Sequence, residues 1–210
     1  VIIMNKEISK LVLPNKKINY FTVSILILGF LCGYIFLILL SNDDKTSTIN
    51  QVTSYFNGIK DGSFNSGLAL KNNLIINYLY IISIWVLGLS LIGLLFNIFI
   101  IYIKGFVVGF TISAMMISFK IKGIVSATLY LLFGQIFNIL IILLVGIYSF
   151  SFSIQLIKTL SSKKKAKNTG VVRKYLIILI SAIIFTLIAT LLETFVLPNI
   201  IKIIIKLFVE

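Results

Sequence analysis

An all-α, polytopic membrane helix bundle of about five transmembrane spans, with an interrupted long fourth segment, is the fold this 210-residue sequence predicts. Three observations predict it. Hydrophobic residues make up 59% of the chain and mean hydropathy is +1.11, against roughly 45–50% apolar in ordinary soluble chains. Charged residues make up only 12%, about half the usual share. The apolar residues also fall into long runs with lysines at their ends. A soluble fold of this size has too little interior to hide so much apolar surface. Residues 1–210 therefore read as a single integral membrane domain.

The first run, 20–40, has the roughly 20 residues needed to cross a hydrocarbon core of about 30 Å. It is expected to stay as an anchor. It is longer than the apolar core of a signal peptide, and Leu39-Leu40-Ser41-Asn42 is no small-x-small cleavage site. Residues 41–73 form the one long polar connection. Within it Ile49, Val52, Tyr55, Phe56 and Ile59 recur at helical spacing, which predicts a short amphipathic helix. The second run, 74–103, would need tilt to fit the bilayer. The third, 105–119, is short for a span. The fourth, 123–157, would extend roughly 52 Å as one helix, too long for a simple crossing; Gly134, Gln135 and Asn138 mark its expected break. The fifth, 175–196, is an ordinary span closed by Pro198. In the tail, 200–209, Lys202 and Lys206 place one polar stripe on an apolar helix, which suits a helix that lies along the interface or packs on the bundle.

Net charge is +13, and its distribution argues for topology rather than nucleic-acid binding. Residues 1–19 carry +3, the loop 158–174 carries +7, and the connection 41–73 carries zero. The first two should be cytoplasmic, which five spans satisfy with 41–73 and the C-terminus outside. A second arrangement keeps both ends in place: 105–119 re-entrant and 123–157 split into a hairpin. The run Lys163-Lys164-Lys165 reads either as topogenic charge or as a contact for anionic membrane lipid.

The residue inventory removes several chemistries. With no histidine, Ser-His-Asp and Cys-His nucleophiles and imidazole metal sites are impossible. The single cysteine, Cys32, excludes an internal disulfide and thiolate clusters, and it sits in an apolar run as an inert thiol would. No metal, cofactor or catalytic residue is expected, and the chain reads as a non-enzyme.

Glu193 stands out as the only acidic residue inside an apolar span. A central charge there costs about 2.5–3.5 kcal/mol on insertion scales. It reads either as a carboxylate kept wet near the outer headgroups or as a polar contact that fixes the bundle or a partner helix; an ion relay lacks a second carboxylate. Gly29 and Gly33, and again Gly105 and Gly109, form GxxxG faces that suit close helix contact, within the chain or in a homo-oligomer. Trp85, Gly88 and Gly93 read as one large ring beside small notches. Gln135 and Asn138 suit hydrogen bonds across helices or the lining of a cavity.

Several pieces in order resemble one family, stage II sporulation protein M. They are the polar loop with Gly62-Ser63-Phe64, then Trp85-Val86-Leu87-Gly88-Leu89-Ser90-Leu91-Ile92-Gly93, then Lys104-Gly105-Phe106-Val107-Val108-Gly109-Phe110-Thr111, and last Glu193 with Pro198. One departure is clear: where the family typically has Pro-Gln-Asn, this chain reads Leu132-Phe133-Gly134-Gln135-Ile136, without the proline. The resemblance implies a multi-pass protein of the septal, mother-cell membrane in sporulation engulfment, one without catalysis of its own. It implies as partners two peptidoglycan hydrolases, stage II sporulation proteins D and P, the first cleaving glycan strands and the second acting on stem peptides. Phe64, Trp85, Gly88, Gly93, Lys104, Gly105, Gly109, Gln135, Glu193 and Pro198 are the candidates for partner or bundle packing. A membrane subunit of a transporter or channel is the alternative.

Overall fold

The computed structural model describes residues 16–90, 92–161 and 169–209, with the side chains of 158–171 and 204–209 excepted. Lys163-Lys164-Lys165 and the lysines before residue 16 lie outside the described residues. Among those described there are helices and no strands. Four helices, Lys16–Leu39, Ser66–Gly88, Gly93–Ile157 and Val172–Ile203, are long and apolar enough to cross a membrane. Their outer faces carry large apolar side chains: Leu28, Leu79, Phe99, Ile180 and Phe185 each expose more than half their surface. Water would penalise that display, whereas lipid does not. The chain is a helical membrane bundle.

Helix α1 (Lys16–Leu39) buries one stripe, Thr22, Ile25, Gly29, Gly33 and Leu37, at three- and four-residue spacing. Its last turn is closed by Lys45, whose Nζ donates to the Ile38 carbonyl at 3.0 Å. Helix α2 (Asn42–Asp61) is the amphipathic element expected within 41–73, and it fills most of that connection. Ser41 caps it: its Oγ accepts from the Asp44 N–H at 3.3 Å and donates to Asp44 Oδ2 at 2.7 Å. Asp43 and Asp44 favour the positive end of the helix dipole, and Gly62, at φ 76°, ends the helix in the left-handed conformation. Phe56 and Ile59 are its buried residues.

Helix α3 (Ser66–Gly88) begins two turns earlier than the apolar run suggests, because Asn65 caps it by accepting from the Leu68 N–H at 3.0 Å. It also stops sooner. The expected run 74–103 is not one helix: α3 ends at Gly88 and the next helix starts at Gly93, where Ser90 Oγ accepts from the Gly93 N–H at 2.8 Å. A Cβ at Gly93 would run into the Leu87 carbonyl, so the turn requires glycine there.

Helix α4 (Gly93–Leu129) contains the largest departure from expectation. Lys120 has φ 52° and ψ −121° within it, and the chain reverses there. Lys104 touches Gln135 although 31 residues separate them, and a Cβ on Gly123 would strike the Met115 carbonyl. A straight helix would hold each pair far apart. So 105–119 is no separate short span but the second part of a rod over 93–119, about 40 Å long. The returning rod runs on through a π-helical turn (Tyr130–Gln135) into α5 (Ile136–Ser161). No break into irregular backbone occurs at Gly134; the π turn re-aims the side chains and the helix continues. The four long helices therefore contain five rods. Helix α6 (Thr169–Leu191) passes through a second π-helical turn (Leu192–Val196) into α7 (Leu197–Val209).

Two apolar clusters hold the bundle. One joins Ile25, Ile81, Ile84, Ile101, Ile142, Val145, Phe150 and Ala182. The other joins Phe56, Ile59, Val108, Ile112, Met115, Ala127, Leu197 and Ile201, and seats α2 and α7 over the Lys120 end. Both GxxxG faces meet each other between these clusters. A Cβ on Gly29 or Gly33 would strike the carbonyl of Tyr102 or Phe106, and one on Gly105 or Gly109 that of Leu26 or Phe30. The two motifs form one reciprocal backbone contact.

Candidate functional site, a buried polar layer

Three of the five rods carry polar residues between their contributions to the two apolar clusters. On α4 Lys104 lies between Ile101 and Val108; on the returning rod Gln135 and Asn138 lie between Ala127 and Ile142; on the last rod Thr190 and Glu193 lie between Ala182 and Leu197. The result is a polar layer inside an apolar bundle.

Gln135 is its centre. Its Oε1 accepts from Lys104 Nζ at 3.0 Å, and its Nε2 donates to Glu193 Oε1 at 2.7 Å. Only this orientation of the amide satisfies a cation on one side and an anion on the other. Asn138 Nδ2 donates to Glu193 Oε2 at 2.9 Å, so both carboxylate oxygens hold an amide hydrogen. Lys104 is 4% exposed, Gln135 5% and Asn138 2%. The Lys104 ammonium also lies 5.3 Å from the centre of the Tyr80 ring. Two further bonds tie α3 to the last rod: Asn77 Nδ2 to Thr190 Oγ1 at 3.2 Å, and Asn73 Nδ2 to Thr194 Oγ1 at 3.5 Å.

Gln135 and Glu193 both sit on π-helical turns, and the two turns pack together. A π turn fits one extra residue into the helix and so swings a side chain to a position α geometry would not reach. Gly134 lets the turns approach, since a Cβ there would come within 3.1 Å of Leu197 Cδ2. Pro198 is buried directly after the second turn.

On its α2 side the layer borders a cavity of about 340 Å³. Glu193 and Thr194 line it from the last rod, Asn73 from α3, Tyr130 from the first π turn, and Tyr55 and Phe64 from the connection above. Phe64 meets Tyr55 edge to face at 5.6 Å. Tyr55 keeps 39% of its surface exposed, so burial acts at the end that lines the cavity. Its phenol is pushed up to about 12, by burial first and by the Glu193 carboxylate second.

The remaining candidates gather at the other end of the bundle. Trp85 Nε1 donates to the Tyr175 carbonyl at 3.2 Å, and Tyr175 OH donates back to the Trp85 carbonyl at 2.8 Å. Their rings stack at 5.3 Å, with Phe152 stacked on Tyr175 at 4.5 Å. Gly88 is the notch beside them, facing Ser149 Oγ and the Tyr175 hydroxyl. Ser149 and Ser153 donate to the carbonyls of Ile84 and Gly88 at 2.9 and 2.8 Å, and Asn97 Nδ2 donates to Ser149 Oγ at 2.6 Å. These groups close the C-terminal end of α3, whose carbonyls lack helical partners.

The candidate set thus divides into Lys104, Gln135 and Glu193 in the polar layer, Gly105 and Gly109 at the backbone contact with α1, Phe64 and Pro198 beside the cavity end, and Trp85, Gly88 and Gly93 at the α3 terminus. Sequence reasoning missed Asn77, Asn97, Ser149, Tyr130 and Tyr175. Asn77 and Asn97 stand in apolar runs and could have been found as lone amides there; the serine and tyrosines carry no such signal. Among the described residues no three His, Cys, Asp or Glu side chains come together.

Fold and layer together define a polytopic helical membrane protein built around an amide-bridged pair, Lys104 and Glu193. The family model of stage II sporulation protein M matches residues 22–198, most of the chain, and includes every residue of the layer. This chain belongs to the stage II sporulation protein M family and is a sporulation-related membrane protein. No curated protein and no solved structure matches it significantly.

Proposed function

We propose that this protein is a non-catalytic membrane scaffold of sporulation engulfment. It anchors and positions peptidoglycan hydrolases, stage II sporulation proteins D and P, at the septal membrane on the mother-cell side. Family membership over residues 22–198 is the observation that carries this reading. The placement of α2 supports it: this long polar helix lies across the Lys120 end of the bundle, away from Arg173 and Lys174. Basic residues favour the cytoplasmic side, which puts α2 on the wall side, where such enzymes work.

Photo-crosslinking in sporulating cells tests it, with probes at Ser54 and Asn57 on the exposed side of α2 and at Lys164 in the basic loop. The scaffold reading expects wall hydrolases captured from α2 and none from Lys164. An ATPase captured at Lys164, with no hydrolase at α2, would overturn it in favour of a transporter subunit.

A further inference from the structure

The cavity beneath α2 has a chemistry that the scaffold reading does not use. We propose that it binds an organic cation, an alkylammonium or guanidinium group, against the Glu193 carboxylate. Among its lining residues Glu193 is the only charged one. Gln135 and Asn138 donate one hydrogen to each carboxylate oxygen. A carboxylate offers about four lone-pair sites, so acceptor capacity remains for a donor in the cavity.

The rest of the lining selects the kind of cation. Tyr55, Phe64 and Tyr130 contribute three aromatic rings, whose faces attract an ammonium or guanidinium group. A bare calcium ion wants six to eight oxygen ligands, and one carboxylate with a few phenols and amides does not supply them. A volume of about 340 Å³ lies at the small end of the range for ligand cavities, roughly 300–1,000 Å³, and suits a short alkyl stem behind the charged head. Lys104 sits beyond Gln135 and does not line the cavity, although its charge already balances Glu193 at longer range. The site is accordingly a weak one. It stands independently of whether hydrolases dock on α2.

The test uses purified full-length protein and n-propylammonium chloride, with sodium chloride at matched ionic strength as the control. The thermal unfolding midpoint should rise saturably with propylammonium and not with sodium. Tyr55→Leu, which leaves the Gln135–Glu193 bond intact, should shift the titration at least threefold to higher concentration; Glu193→Gln should abolish the rise. No saturable rise for the unmodified protein, or a rise that both variants retain unchanged, would overturn the site. Nanodiscs then separate two sources of the same chemistry. If phosphatidylethanolamine, compared with phosphatidylglycerol alone, suppresses the propylammonium response in a Glu193-dependent way, the headgroup is the occupant. An equal response in both lipids identifies a soluble amine.

Discussion

Gln135 stands between a buried ammonium and a half-buried carboxylate. Removing its amide strands Lys104 and leaves Glu193 with Asn138 alone, and an uncompensated buried charge costs about 3–5 kcal/mol. Gln135→Leu should therefore lose folded protein in detergent, with unfolding free energy reduced by about that amount. Glu193→Gln should cost less, about 1–3 kcal/mol, because its carbonyl still accepts from one of the two amides. Glu193→Leu should fall nearer the Gln135 variant. Equal tolerance of Gln and Leu at 193, measured by equilibrium unfolding, would show that the carboxylate sits wet and unpaired. Part of this layer is legible in the sequence. Glu193, Gln135 and Asn138 are polar residues in apolar runs, and burial forces such groups to find partners. Lys104 enters through the family resemblance alone, because hydropathy counting treats a lysine as the edge of a span. Its partner Gln135 is 31 residues away, and no spacing rule joins them.

Among the helices, the closest contact is between backbones, where Gly29 and Gly33 face Gly105 and Gly109. A methyl group at any of the four meets a carbonyl rather than a flexible side chain, and overpacking of that kind costs about 1–3 kcal/mol or more. Gly109→Leu should sharply reduce folded yield by size-exclusion chromatography. Gly58→Ala, in α2, should be tolerated or gain up to about 1 kcal/mol, since its nearest neighbour is Ser63 Oγ at 3.5 Å. Lys120→Gly should raise stability by about 1 kcal/mol, because a lysine at φ 52° and ψ −121° holds a conformation that suits glycine. The GxxxG motifs announce small faces without saying that they meet each other. The reversal at Lys120 has no proline or glycine at its apex, which is why an apolar count sees two runs and not a hairpin. The break between α3 and α4 is hidden in the same way: Leu89 and Ile92 are apolar, and only the flanking Gly88 and Gly93 hint at it.

Taken as a whole, the molecule has two unlike ends. Lys16, Lys17, Arg173 and Lys174 lie at one; α2, the hairpin apex and α7 lie at the other. In a Cys32→Ser background, cysteines at Ser47 and Asn57 should react with an impermeant maleimide on intact cells, and one at Lys164 only after permeabilisation. Protection of the α2 positions would invert the orientation. The paired glycine faces also have a consequence in time. Gly29 leaves the ribosome 76 residues before Gly105, so at about 5–20 residues per second the first rod waits roughly 4–15 s for its mate. Throughout that interval its glycine groove lies open to lipid, or to whatever insertion factor shields it.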